Sequence, residues 1–170
     1  ATSIEQFLLM PHYSLYFYLE KFFLPINLSS FYPYPKMSGG FFPLQVYLAV
    51  PLVYAIGYVL WKNRLKKDLI FGLLFFLILI LPVLQHIRFS NIIAADRFTY
   101  LAYIGLSYPV GMWMSKLYKG SKKQGQRTIL ALGIVVLLAM YLQTLERVQV
   151  WKDSRTLWND VFKKYPDALQ

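Results

Sequence analysis

Cysteine is absent from the 170 residues. Disulfide frameworks, cysteine-ligated metals and thiol catalysis are excluded, and nothing marks a redox compartment. The two histidines, His12 and His86, are too few for a histidine-built metal site. No cofactor motif is identifiable, and a divalent metal requirement leaves no signature. Charge is also scarce: 15% of residues are Asp, Glu, Lys or Arg, where soluble domains approach about a quarter. A chain with 57% hydrophobic and 18% aromatic residues belongs mostly in lipid. No basic segment followed by a short apolar core and cleavage site precedes the first helix, and the chain opens on Ala1. We expect a piece of a longer protein.

What is present is long apolar runs. Residues 44–61, 69–85, 99–117 and 129–145 each hold about 17 to 19 residues, near the roughly 20 a helix needs to cross hydrocarbon. Helices are the default there, because backbone groups must be satisfied within the segment. Pro51, Pro82 and Pro109 each remove a donor and are expected to kink or end their helices. The run 69–85, with Pro82 near its end, reads as a span or as one arm of a buried hairpin. The expected fold is all-α: a polytopic membrane bundle of about four transmembrane helices, an N-terminal interfacial helix and a C-terminal amphipathic helix.

Orientation follows from the basic residues. Lys62, Arg64, Lys66 and Lys67 fall in one short link, and Lys116, Lys119, Lys122, Lys123 and Arg127 in another, nine of the eighteen Lys and Arg in all. Basic short loops stay cytoplasmic, which places links 62–68 and 116–127 inside and both chain ends outside. Anionic-lipid or nucleic-acid binding is the alternative reading of such runs; topology explains them more simply, and no nucleic-acid partner is expected.

Outside the runs, 1–43 is read as an external interfacial helix plus an aromatic, Pro-rich loop, 44–145 as the transmembrane region, and 146–170 as the start of an external domain. In the first, Leu15, Tyr16, Leu19, Phe22 and Phe23 share a helical face. A helix over 12–24 would be only ~20 Å long, which suits a helix lying in the outer interface. The rival is an extra span over 4–24, broken at Pro11. The aromatic loop that follows, with Pro33, Pro35, Gly39, Gly40 and Pro43, is expected to be ordered, since its Tyr and Phe would otherwise be exposed. In the last segment Leu157, Trp158, Val161, Phe162 and Tyr165 recur at helical spacing after an expected Asp153 N-cap, with nothing in this chain long enough to cover that stripe. Pro166 ends the helix.

The stretch "ADRFTYLAYIGL", followed one span later by "RVQVWKDSRTLWNDVFKKYPDALQ", resembles the C-terminal membrane part of the transmembrane and tetratricopeptide-repeat glycosyltransferases. These are type C (GT-C) enzymes related to protein O-mannosyltransferases, which use a polyprenyl-phosphate sugar. The upstream "YLEKFFLPINLSSFYPYP" is similar to the same family's aromatic helix, Pro turn and Leu-Ser-Ser loop. Together they cover most of the chain, in order and with matching topology. The resemblance implies that Asp96, Arg97, Phe98 and Tyr100 head a span from an external loop. It also implies that Trp151, Asp153, Ser154, Thr156, Leu157 and Trp158 introduce a repeat array, whose units of about 34 residues need neighbours to bury their faces. The family's presumed catalytic acid lies in a first external loop upstream of this chain, so the catalytic residue is expected there and the role is not assigned to Asp96.

Arg97 is placed to meet the donor phosphate at the lipid boundary, where a guanidinium offers a planar fork of donors and stays ionised. Arg88 is a second arm, Asp96 an orienting carboxylate for either arginine, and His86 a hydrogen-bond donor or titrating group. Tyr32, Tyr34 and Tyr100 are expected to line the same external cavity. The plainer readings stand beside these: Asp96 and Arg97 as an N-cap with a salt bridge, Arg97 as a snorkelling side chain, and the tyrosines as interface belt residues. The implied partners are membrane lipid, a polyprenyl-linked sugar and an acceptor protein held by the repeats. A non-catalytic anchor for a repeat scaffold is the alternative function, and a flippase or polymerase for polyprenyl-linked sugars a third.

Overall fold

The computed structural model describes residues 4–62, 66–84 and 92–166. Six helices follow in order: α1 (Ile4–Phe23), α2 (Leu44–Lys62), α3 (Lys67–Ile80), α4 (Thr99–Gly120), α5 (Lys123–Val150) and α6 (Ser154–Lys164). Two short strands, β1 (Tyr32–Pro33) and β2 (Ile92–Ala94), pair antiparallel with Tyr32 opposite Ala94. The architecture is mostly helical, as expected, with this small ribbon added. Two loops are pressed against α1 there, and buried loop backbone must find partners. Ile93, Ala94 and Ala95 are buried. The Ser14 hydroxyl donates to the Ile93 carbonyl at 3.4 Å, and the Ala95 amide donates to the Tyr18 hydroxyl at 3.3 Å.

Among the described residues two helices, α2 and α5, are long and apolar enough to cross a membrane. Their 19 and 28 residues measure roughly 29 and 42 Å. The run 69–85 divides. Helix α3 stops at Ile80 after 14 residues, and Leu81–Val83 form a 3-10 turn where Pro82 has no N–H to give. Helix α4 has the length, with 22 residues, but its Tyr, Ser, Gly and Lys make it less apolar. Pro51 and Pro109 end nothing: both sit inside continuous helices, as membrane helices tolerate when neighbours hold the turn.

Helix α1 starts eight residues earlier than expected and runs through Pro11. Its fully buried stripe is Met10, Ser14 and Tyr18, not the expected face; Leu15, Tyr16, Leu19 and Phe22 are half-buried and Phe23 is exposed. The reason is solvent: hydroxyls that serve the ribbon turn inward, while aromatic and aliphatic side chains can face an apolar surrounding. In the loop after α1, Gly39 and Gly40 at φ +59° and +85° form a tight turn that pairs Ser38 with Phe41, a conformation suited to glycine. Tyr32 and Phe42 of this loop are buried, while Phe41 is exposed.

Helices α3 and α4 form the tightest crossing. A Cβ built on Gly72 would lie 2.4 Å from the Gly105 carbonyl oxygen and 2.7 Å from Pro109 Cδ, and one on Gly105 would lie 2.6 Å from the Gly72 carbonyl oxygen. Backbones approach this closely only where side chains are missing. The Lys116–Asp68 pair, Nζ to Oδ2 3.1 Å, ties the far end of α4 to the start of α3. Residues 66–68 and Lys116, the described parts of the two basic links that meet here, therefore lie at one end of the bundle, and the ribbon at the other. Gly105→Leu should lower the thermal stability of the full-length protein in detergent by at least ~1–3 kcal/mol. Gly111→Leu, where a Cβ meets nothing within 4 Å, should leave the melting temperature unchanged.

Candidate functional site

Ala95 closes the ribbon, and Asp96–Phe98 form a 3-10 turn that leads into α4. The tight turn sends neighbouring side chains opposite ways. Asp96 points inward: its Oδ1 accepts from the Tyr32 hydroxyl at 2.7 Å, and that hydroxyl in turn accepts from the Ser29 amide at 2.8 Å. Arg97 points outward and lies over the Phe98 ring, 5.1 Å from its centroid. Asp96 makes no side-chain cap for either helix. The expected Asp96–Arg97 partnership is replaced by one that crosses the chain.

That partner is Arg147, near the end of α5. Its Nη2 lies 3.9 Å from Asp96 Oδ2, while Nη1 donates to Asp160 Oδ2 of α6 at 3.0 Å. Lys164, one turn on, reaches Asp160 Oδ1 at 2.7 Å and donates to the Leu28 carbonyl at 2.7 Å. The Gln143 amide donates to the Pro25 carbonyl. Two carboxylates and two cations thus join the loop after α1, the head of α4, the end of α5 and helix α6.

Burial pushes the Asp96 carboxyl above the ordinary carboxylate range, against the pull of the Tyr32 hydroxyl, Arg147, Lys164 and Lys21. Burial, and then Asp96 itself, drive the Tyr32 hydroxyl far up, so it stays a donor. Tyr165, whose ring centroid is 6.0 Å from that of Tyr32, is pushed up to about 12, chiefly by burial. Asp160 moves the other way: burial raises it, but Lys164 and Arg147 outweigh that and hold it below the usual range. Among the described residues, the hydroxyls of Ser29 and Ser30 and the Nη2 of Arg147 are buried without a hydrogen-bond partner. Three metal-ligating side chains do not converge anywhere among the described residues.

Helix α6 begins as the sequence implies. The Asp153 carboxylate accepts from the Thr156 amide at 2.8 Å, which holds its pKa down. Its apolar stripe is not left uncovered, a correction to expectation. Val161 is fully buried, Trp158 meets Phe31 edge-on at 5.2 Å, and Tyr165 packs on Tyr32. The loop between α1 and α2 folds back over it, which no local pattern announces. Trp158 and Phe162 stay 40% and 38% exposed.

The three tyrosines expected in one cavity separate. Tyr32 is buried within the network, Tyr34 packs beside the core, and Tyr100 lines a cleft of about 570 Å3 with Thr144, Arg147, Trp151 and Lys152. This cleft lies one helical turn from Arg97 and carries two cations and no carboxylate. His86 and Arg88 lie outside the described residues. Sequence reading missed Arg147, Asp160 and Lys164; only the i, i+4 spacing of Asp160 and Lys164 offered a signal.

Removing Arg147 should leave Asp160 with Lys164 and Asp96 with the Tyr32 hydroxyl as its remaining hydrogen-bond partner. Arg147→Ala is expected to cost about 3 kcal/mol and to open the 151–153 link to protease. A double-mutant cycle with Asp160→Asn should show coupling of about 1–3 kcal/mol. The pH sign follows from the shifts. Asp160, with its depressed pKa, contributes stability above its ordinary value of 3.8 and loses it as pH falls through the folded value. Asp96, with its raised pKa, is a cost when ionised that is relieved on acidification. Asp160→Asn should therefore flatten the acid limb of a melting-temperature profile below about pH 4, and Asp96→Asn should not.

Over 114 residues, 66% of the chain, the sequence is 33% identical to the protein described as "Protein O-mannosyl-transferase Tmtc2" of Drosophila melanogaster. The match spans 12% of that protein's length. No family model matches, and no solved structure matches. The chain is thus a distant relative, over part of its length, of a protein O-mannosyl-transferase.

Proposed function

We propose that this chain is part of an integral-membrane glycosyltransferase that transfers a sugar from a polyprenyl-phosphate donor to an acceptor, a protein by preference, on the non-cytoplasmic side. The likeness to a protein O-mannosyl-transferase is the observation that carries it. In this reading α2, α3 with its 3-10 turn, α4 and α5 cross the membrane. The basic links are cytoplasmic; the ribbon, α6 and both chain ends are external. The catalytic acid belongs to the protein outside this segment.

Arg97 is the donor-phosphate residue in this reading, supported by its exposure at the head of α4 and by its lack of a carboxylate partner among the described residues. A cation there stabilises the charge on a departing lipid phosphate. The cleft lined by Tyr100 and Lys152 adds one lysine to the same end of the bundle, since Arg147 beside it is neutralised by Asp96 and Asp160. Asp96 serves the α6 dock. The scaffold alternative draws on that dock, which would hold a repeat array rigidly whether or not sugar is transferred.

In the full-length protein Arg97→Ala should reduce sugar transfer at least about tenfold with membrane insertion and melting temperature unchanged. Unchanged transfer would assign the residue to interface anchoring. For orientation, a single cysteine at the exposed Met37, in a full-length protein freed of other cysteines, should react with an impermeant thiol reagent from the non-cytoplasmic side. Labelling only after permeabilisation would reverse the topology.

A further inference from the structure

At the end that holds the basic links, an apolar groove of about 550 Å3 runs between α1, α2, α3 and α4. Leu19, Phe22, Leu60, Leu73, Pro109 and Trp113 are among its walls, and Lys66, Asp68 and Lys116 stand beside them. Lys116 is paired with Asp68 at 3.1 Å, with 54% of the lysine side chain and 33% of the aspartate still exposed. Lys66 has no carboxylate partner among the described residues. The charged end therefore holds two cations against one carboxylate, and carries an excess positive charge next to an otherwise apolar slot.

The two halves select an occupant. A slot of this volume lies within the ~300–1,000 Å3 of built ligand sites, and apolar walls left without contacts forfeit dispersion energy. A passing helix would cover the walls and leave the excess charge unmet. A molecule with an apolar tail and an anionic head meets both, as in basic pockets between membrane helices that take anionic head groups. We infer that the groove holds one acyl chain of an anionic glycerophospholipid, with the lipid phosphate at Lys66 and Lys116. The site depends on the proposed orientation only for its leaflet, which is then the cytoplasmic one.

The test is native mass spectrometry of the full-length protein titrated with phosphatidylglycerol and with phosphatidylcholine of the same chains. Phosphatidylglycerol should bind about tenfold tighter. Lys66→Gln should weaken it about fivefold without moving phosphatidylcholine. Asp68→Asn, which removes the competing carboxylate, should strengthen phosphatidylglycerol binding, a gain that a misfolded protein does not give. Leu73→Trp should weaken both lipids by filling the slot. Equal binding of the two lipids, or phosphatidylglycerol binding indifferent to Lys66→Gln and Asp68→Asn, would overturn the inference. So would competition by glycerol 3-phosphate as strong as that by the whole lipid, which indicates a head-group site without a chain. Indifference to Leu73→Trp would mean that the slot is closed by another helix, and would overturn it too. Sugar transfer enters none of these readings, so the outcome stands apart from that of the Arg97 test.

Discussion

Arg147 is shared between two carboxylates that belong to different parts of the chain, and the non-cytoplasmic end as proposed is organised around that sharing. Asp96 fixes the entry to α4, and Asp160 fixes α6. Without a cation between them, Asp160 would keep only Lys164 in contact and Asp96 only the Tyr32 hydroxyl. With Arg147 and Lys164 in place the four charges sum to zero, so the cluster is a neutral clamp. Its neutrality has a consequence next door. Arg97, adjacent in sequence but turned outward, is not consumed by Asp96, and its charge is left for something that is not part of the clamp.

The burial pattern also follows from an apolar surrounding. Inside the bundle stand small residues and hydroxyl-bearing ones: Ser14, Ser29, Ser30, Thr99, Ala94, Ala95 and Ala102, with Tyr18 and Tyr32. Beside them are buried Met10, Val46, Phe76, Ile80 and Leu106, yet many more Leu, Ile, Val and Phe side chains stay exposed, and α5 buries no residue at all. Where the surroundings are as apolar as the side chains, hydrophobicity does not decide which face turns inward. Close backbone approach decides it at Gly72 and Gly105, and the hydrogen-bond needs of the ribbon decide it along α1.

That is why the sequence was legible in some places and closed in others. The extents of α2 and α4 and the Asp153 cap of α6 came through, because length of an apolar run and cap chemistry are local signals. The face of α1 did not, since an amphipathic reading assumes water on one side. The break of α3 before Pro82 was readable as a discomfort in the run 69–85, while tolerance of Pro51 and Pro109 depends on neighbours. The clamp was hidden altogether: Tyr32 and Asp96 stand 64 residues apart and Arg147 and Asp160 stand 13 apart, separations at which no periodicity or motif brings charges together. Asp96 and Arg97 drew attention as a pair, and the backbone turn between them made them two sites.

Helix α4 links the two charged ends. Its 22 residues span about 33 Å, close to the ~30 Å of a hydrocarbon core. Arg97 stands just before its first residue and Lys116 in its last turns. In the proposed orientation both ends of α4 reach an interface at once, although its Tyr, Ser and Gly content keeps it from being among the most apolar helices. Its Gly105 face is pressed against α3, while Tyr100 and Tyr108 stay exposed. The same close crossing holds the Asp96 clamp and the Lys116–Asp68 pair in fixed register, so a shift of α4 along α3 would disturb both charged ends together.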